Sequence, residues 1–371
     1  MIIGIDIRDL RLAKTGQKTT LEELCRQFKQ LEHTTPHTFH FFDTWIPVYT
    51  GRNKFMLMTE HIRQQLWKQV ALPFKAWRKK CDIVYCNDYF APYLHWNFTT
   101  VQLFHDAFFF EYPQYYNPIW LQLFKRIAIP AAKKSAFIIT PTEYAKKTVQ
   151  HFTGIPAEKI ITIYHGPKTI PTTTTANIPD WLPTQQQHPY LLHVGVFEKR
   201  KNLSNLLKAF QLFQQNGNSH YKLVLVGKGN GKMHSDDTVN ILQTIQDLQL
   251  QDQVIMPGYV PDDMLGVVYQ HAACYVFPSY NEGFGIPILE AFQFGIPVLV
   301  ANNTCLPEVG ADAVLSFDPY NPQDIAQQIN TLLHNPQLQQ TLIQKGHQRL
   351  QDFSWEKTAR KLIEVFEQTK K

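Results

Sequence analysis

Between Cys274 and Val300 the chain places two short, β-rich apolar runs, Cys274 to Phe277 and Pro297 to Val300, on either side of one helix-length segment. Runs of this kind, closed by turn residues, read as buried strands of a parallel sheet, and parallel strands need a crossover, usually a helix, between them. Pro287 suits a first helical position, Leu289, Ala291 and Phe292 supply a packing face, and Gly295 stops the helix ahead of Pro297. Asn281 to Gly285 is then a strand-to-helix loop.

Open parallel sheets bind ligands at such loops, at the carboxyl ends of strands and the positive ends of helices. Gly283 and Gly285 leave the backbone N–H groups uncovered for close approach. Glu282 precedes the helix, where a carboxylate can accept hydrogen bonds from sugar hydroxyls. Glu290 lies one turn inside it, placed for a vicinal diol such as a ribose. Acidic residues near a helix start also offset its dipole, typically by about 0.3–1 kcal/mol. Two of them around a glycine-proline turn favour a binding role.

The run Glu282-Gly-Phe-Gly-Ile-Pro-Ile-Leu-Glu290-Ala, followed by Gly295-Ile-Pro-Val, resembles the Glu-x7-Glu signature of the retaining glycosyltransferases of family 4. The resemblance covers most of the chain and is strongest from about Pro189 to Pro319. It implies an α/β chain of the GT-B fold, two Rossmann-like domains whose parallel sheets face each other across a cleft. It also implies transfer of a sugar from a GDP- or UDP-linked donor, with Gly283, Phe284, Gly285 and Glu290 on the donor.

A chain of 371 residues with 25 Phe, 16 Tyr and 7 Trp can bury two cores of ordinary size. No apolar run reaches the length of a membrane span, and Met1 leads directly into strand-like Ile2 to Ile7, so a soluble cytoplasmic protein is expected. Cys25, Cys81, Cys86, Cys274 and Cys305 are odd in number and unpatterned, and read as packing residues in a reducing compartment. Charge is uneven. Residues 1–166 carry 21 Lys and Arg against 13 Asp and Glu, a net +8, whereas the remainder carries 15 against 18, a net −3. A basic half suits an anionic partner as well as plain solubility; we expect an anionic membrane surface, and no nucleic acid.

Taken in order, strand-like runs at Ile2–Ile7, Thr38–Phe42, Ile83–Cys86, Val101–Phe104, Phe137–Thr140 and Ile160–Ile163 alternate with helical or irregular segments. A second set runs through Tyr190–Val194, Leu223–Val226, Val254–Met256, Tyr275–Phe277, Val298–Val300 and Val314–Phe317. We therefore expect an acceptor-binding domain over 1–166, a Thr-, Pro- and Gln-rich linker over 167–189, and a nucleotide-sugar domain over 190–353. The segment Ser354 to Lys371 has Trp355, Ala359, Leu362, Ile363 and Phe366 at helical spacing behind a capping Ser354. The resemblance returns this helix to the first domain.

Several strand ends carry candidate site residues. Gly16 sits in the loop Lys14 to Thr20 ahead of a helix, where the family approaches donor phosphates or acceptor. Phe104-His105-Asp106 resembles the family's His-Asp pair, whose His contacts the donor sugar. Thr142 and Glu143 follow another strand, and the aromatic run Phe108 to Tyr116 suits a cover or a lipid-linked acceptor as well as packing. The basic-aromatic stretches Phe74 to Lys80 and Trp120 to Arg126 fit either an interfacial helix or one packed on its own sheet.

In the second half, Gly195-Val-Phe-Glu-Lys-Arg-Lys-Asn202 matches the family's Gly-x4-Arg-Lys-Asn pattern, with Arg200 and Lys201 able to hold a diphosphate. Val196 stands where some members have Arg. Gly227 opens a further glycine run after a strand. The resemblance thus assigns His105, Arg200, Lys201 and Glu282 to catalysis, and Gly16, Gly195, Gly227 and Glu290 with the Glu282 loop to the nucleotide sugar. No Asp-x-Asp pair occurs in the sequence, so no metal or other cofactor is expected. The acceptor would be a glycan or a lipid-linked species in envelope polysaccharide or glycolipid synthesis. A sugar-nucleotide epimerase, a phosphorylase with an unidentified pyridoxal-phosphate lysine, and an inactive nucleotide-sugar-binding module are the alternatives.

Overall fold

The computed structural model describes all residues except Lys14, Thr15, Arg52, residues 172–177 and 184–187, Met233 and Lys371, and of Lys54 only the backbone. The first two residues of the Gly16 loop and much of the expected linker thus lie outside the described residues. The chain divides into two compact units, Met1–His165 with Ser354–Lys371, and Gly166–Phe353. Each is built on a six-stranded sheet in which every pairing is parallel.

The first unit contains β1 (Ile2–Asp6), β2 (Thr38–Phe42), β3 (Ile83–Cys86), β4 (Thr99–Leu103), β5 (Phe137–Thr140) and β6 (Ile160–Thr162), in the order β2-β1-β3-β4-β5-β6. One face of this sheet packs Ile3, Ile5 and Tyr85 against Leu24 and Phe28 of the helix Gly16–Leu31 and against Leu362 and Phe366 of the final helix Trp355–Gln368. Ser354 caps that helix through Lys357 N at 3.1 Å, and the Thr358 hydroxyl donates to the Tyr164 carbonyl at 2.7 Å. The other face holds an aromatic cluster of Tyr89, Phe90, Phe104, Phe109 and Phe124. Trp120 stacks on Phe124 at 5.4 Å, so the stretch Trp120 to Arg126 packs on its own sheet, unlike the exposed Trp77.

One element of this unit is unusual. The helix Lys54–Leu66, a π-turn at Trp67–Ala71 and the helix Leu72–Arg78 run on as a single rod. Asn53 starts it by accepting from Phe55 N and Met56 N at 3.0 and 3.3 Å. Pro73, second residue of the last segment, has no N–H for the carbonyl four residues back, and the chain widens into the π-turn just before it. The same pairing recurs at Phe124–Ala128 ahead of Ile129–Lys134, where Pro130 is second.

The rod turns two charged residues, Glu60 and Lys68, inward. Lys68 is fully buried, with Nζ 2.8 Å from Asp6 Oδ2, 2.9 Å from Asp9 Oδ2 and 3.5 Å from Asp88 Oδ2. Trp67 Nε1 donates to Asp6 Oδ1 at 3.0 Å, while Glu60 pairs with the buried Arg8 and with Arg63 at 2.9 Å. Burial alone would push the Lys68 ammonium toward its neutral form, but three carboxylates outweigh it and hold the pKa well above the usual lysine value. Asp6 ends β1 and Asp88 follows β3, so the rod is fastened where the strand order of the sheet reverses.

The second unit contains β7 (Tyr190–Val194), β8 (Lys222–Val226), β9 (Val254–Gly258), β10 (Cys274–Phe277), β11 (Val298–Ala301) and β12 (Val314–Phe317), in the order β12-β11-β10-β7-β8-β9. Numbered within the unit, this is the Rossmann order 3-2-1-4-5-6, with its reversal between β7 and β10. Strand order separates the two units, since the first has the flavodoxin-like arrangement 2-1-3-4-5. Replacing Lys68 by Ala would strand Asp6, Asp9 and Asp88 without their cation. We expect a loss of about 3–5 kcal/mol in urea unfolding; a change below about 1 kcal/mol would show that the buried pairs do not hold the rod.

Candidate active site

At the reversal point of the second sheet, the loops after β7, β8 and β10 converge. Gly195 N donates to the Val226 carbonyl and Gly227 N to the Gly258 carbonyl, each at 2.9 Å. Gly227 has φ +140°, and a Cβ there would lie 1.8 Å from the Gly195 carbonyl oxygen. Only glycine allows that approach. The chain then makes a 3-10 turn at Lys199–Lys201 and reaches Asn202 at φ +57°. The Asn202 amide donates to the carbonyls of Pro278 at 2.9 Å and Pro319 at 2.8 Å, and Tyr280 N donates to the Arg200 carbonyl at 2.8 Å. These bonds lock the β7 loop against the loops after β10 and β12.

The lock sets Arg200 and Lys201 on one carboxylate. Lys201 Nζ lies 2.6 Å from Glu282 Oε1, and Arg200 Nη1 lies 2.7 Å from Glu282 Oε2. Arg200 also contacts Glu198 Oε2 at 2.9 Å, whose other oxygen accepts from the Asn230 amide at 2.6 Å. Burial would raise the Glu282 pKa, but the two cations outweigh it and hold the carboxyl at about 2. Burial, with Arg200 beside it, pushes the Lys201 pKa below the usual lysine value against the pull of Glu282. The Lys201 ammonium also lies 5.0 Å from the Phe277 ring centre.

The loop continues through Gly283 and Phe284 to Gly285 at φ +97°, and the helix Ile286–Gln293 begins there with Pro287 second rather than first. The Phe284 ring is buried edge-on to Phe353, with centroids 5.9 Å apart. Glu290 is buried in that helix. Its Oε2 accepts from the Tyr269 hydroxyl at 2.7 Å, and burial raises its pKa against the opposing effect of that bond. Glu290 thus forms a second, separate carboxylate position. Tyr275 on β10 feels both, its hydroxyl donating to the Val194 carbonyl at 3.3 Å while Glu290 and Glu282 add to the effect of burial in keeping the phenol protonated.

His193, which the sequence reading passed over as strand, belongs to the same site. It is fully buried, and Nδ1 lies 3.0 Å from the Val276 carbonyl, which assigns the proton to Nδ1. Burial and the Lys201 charge push the imidazole down to about 4. Among the described residues Nε2 has no hydrogen-bond partner, and a Cβ on Gly195 would lie 3.3 Å from it. The signal was a histidine inside an apolar strand, two residues before that glycine.

In the first unit, Gly16 is the first residue of its helix, and the Gln17 carbonyl accepts from the Asn87 amide at 3.4 Å. His105 Nε2 lies 3.3 Å from the Asn87 carbonyl, so Asn87 joins the Gly16 turn to His105. Burial lowers the His105 pKa, against the pull of Asp106, which itself accepts from Tyr89 and Phe108 N. Thr142 caps the helix Glu143–Thr153 through Ala145 N at 3.1 Å, a structural duty that accounts for its hydroxyl. The five cysteines are free and buried. Among the described residues no cluster of three His, Cys, Asp or Glu is placed to hold a metal ion, and no helix is long and apolar enough to cross a membrane.

Paired parallel α/β units, with glycine-rich loops and an Arg-Lys-Glu cluster at a strand-order reversal, fit a glycosyltransferase of the GT-B fold. Residues 15–169 match the family described as Glycosyltransferase Family 4 and residues 176–349 that described as Glycosyl transferases group 1, and the chain belongs to these family 4 glycosyltransferases. O-antigen chain mannosyltransferase B of Escherichia coli is 29% identical over 314 residues, covering 82% of this chain and 77% of that protein. Sucrose-phosphate synthase from Thermosynechococcus elongatus has the same fold, with a TM-score of 0.75 at 17% identity over 100% of this chain and 99% of the other. Anabaena Alr3699/HepE in complex with UDP-glucose gives a TM-score of 0.70 at 18% identity over 99% and 100%.

Because the folded Glu282 carboxyl titrates near 2 and an unfolded one near 4.5, its stabilisation is complete above the unfolded value and is lost as pH falls toward 2. The gap in melting temperature between wild type and Glu282→Gln should therefore narrow steadily between about pH 5 and pH 2. A gap that stays constant over that range would contradict the paired state of Glu282.

Proposed function

We propose that this enzyme moves a mannose- or glucose-type hexose from a GDP- or UDP-linked donor to a glycan or lipid-linked acceptor in envelope polysaccharide synthesis, with retention of anomeric configuration. The name of the Escherichia coli relative supports a mannosyl donor and an O-antigen type of product. The HepE complex supports a nucleotide sugar as ligand. The observation that carries the reading is the double hold of Arg200 and Lys201 on Glu282 at the amino end of the Ile286–Gln293 helix.

A donor diphosphate at that place takes over Arg200 and Lys201 and lies against the backbone N–H groups of Gly283 to Gly285. Glu282, released from both cations, accepts from sugar hydroxyls, and Glu290, oriented by Tyr269, accepts from the ribose. In the transfer the bond from the anomeric carbon to the diphosphate oxygen breaks and a bond to the acceptor oxygen forms on the same face. The acceptor proton passes to the departing diphosphate oxygen. Arg200, Lys201 and the helix end neutralise the leaving group, which leaves no step that calls for a divalent ion.

Lys201→Ala should lower kcat by about 10²–10³, as loss of one charge-stabilising donor does, with the melting transition still cooperative. The anomeric proton coupling of the product, read by NMR with and without EDTA, tests the rest. Retention in both samples is expected; an inverted product would overturn the mechanism, and activity abolished by EDTA would overturn the metal-free reading.

A further inference from the structure

The rod 54–78 is apolar on two sides, one packed on the sheet and one turned to solvent. Its inner face carries Trp67, Leu72 and Ala76, packed in a core cluster, and the buried charges Glu60 and Lys68. Its outer face carries Phe55, Met58, Ile62, Leu66, Val70, Phe74 and Trp77, between 47% and 66% exposed. They recur at steps of three or four residues over a length of roughly 35–40 Å. A surface helix ordinarily buries its apolar stripe and shows its charges. Here apolar packing of Trp67, Leu72 and Ala76 and the ion pairs to Asp6, Asp9, Asp88 and Arg8 secure the inner face, and a second apolar stripe is left on the outside.

Two features choose the occupant. The steps between the seven residues run three, four, four, four, four, three, without the alternation of three and four that a left-handed coiled coil with another helix requires, and the π-turn interrupts the middle. A flat partner suits this stripe better than a second rod. The surrounding charge is also of one sign. Residues 52–80 hold eight Lys and Arg and a single acid, Glu60, which is buried, while Arg78, Lys79 and Lys80 stand exposed at the end of the rod.

We infer that this rod lies flat in the interface of an anionic lipid bilayer, with its outer face at the headgroup-acyl boundary and its basic end on lipid phosphates. The inference does not rest on the proposed donor or acceptor, because binding to vesicles is measured without either. The full chain should co-sediment with phosphatidylcholine-phosphatidylglycerol vesicles, and far less with phosphatidylcholine alone. The variant Ile62→Ser/Leu66→Ser/Val70→Ser should lose at least about tenfold in partition, as should Arg78→Glu/Lys79→Glu/Lys80→Glu, whose three positions are exposed. Brominated lipid should quench the wild type more than Trp77→Phe, a readout that holds whether or not the serine variant folds. Wild type that stays in the supernatant with both vesicle types, or partition unchanged in both multiple variants, would overturn the inference. So would wild type that fails to sediment but is a dimer dissociated by the serine substitutions, which would assign the face to a second copy.

Discussion

The second unit is organised around one buried carboxylate held by two cations. Glu282 is buried, and an isolated buried charge would take up a proton. Arg200 and Lys201 prevent it, and the backbone is arranged to make them do so. The positive φ of Asn202, the bonds from its amide to the Pro278 and Pro319 carbonyls, and the Tyr280-to-Arg200 backbone bond bring together three loops that are distant in sequence. Removing one member of such a cluster leaves the others buried without a counter-charge, so its stability and its chemistry are linked.

The first unit applies the same physics to a different end. Lys68 and Glu60 are buried charges fully paired with Asp6, Asp9, Asp88, Arg8 and Arg63, and they fix the direction in which a helix faces. Exposed apolar area on the rod is unfavourable in water, and the ion pairs on its inner side, set into loops at the ends of β1 and β3, hold it in place together with the packed Trp67, Leu72 and Ala76. In the second unit the paired charges stand at the candidate chemistry; in the first they orient a surface.

Much of the fold was legible in the sequence because each strand is a short run of β-branched and aromatic residues closed by turn residues, as at Ile83–Cys86 and Cys274–Phe277. The Glu282 loop was legible from its glycines and the Pro287 helix start, even though that helix begins one residue earlier. Pairing was not. Nothing local in Lys199-Arg-Lys201 says that both cations lie on Glu282, because that depends on the order of strands β7 and β10 in the sheet. His193 was hidden by its own strand, whose apolar neighbours dominate the pattern. The rod was hidden for another reason. Periodicity shows which residues share a face, but the sign of that face, inward or outward, is decided by where the few charges between them find partners, and Lys68 and Glu60 find theirs in loops far away in sequence.

The account makes Glu282 a competitor of the donor diphosphate for Arg200 and Lys201. Titration calorimetry of GDP and UDP on wild type, Glu282→Gln and Lys201→Ala addresses this directly. Binding of the cognate nucleoside diphosphate should be as tight as wild type or tighter in Glu282→Gln, where the cations are released, and weaker in Lys201→Ala. Loss of binding in Glu282→Gln as large as that in Lys201→Ala would contradict the account.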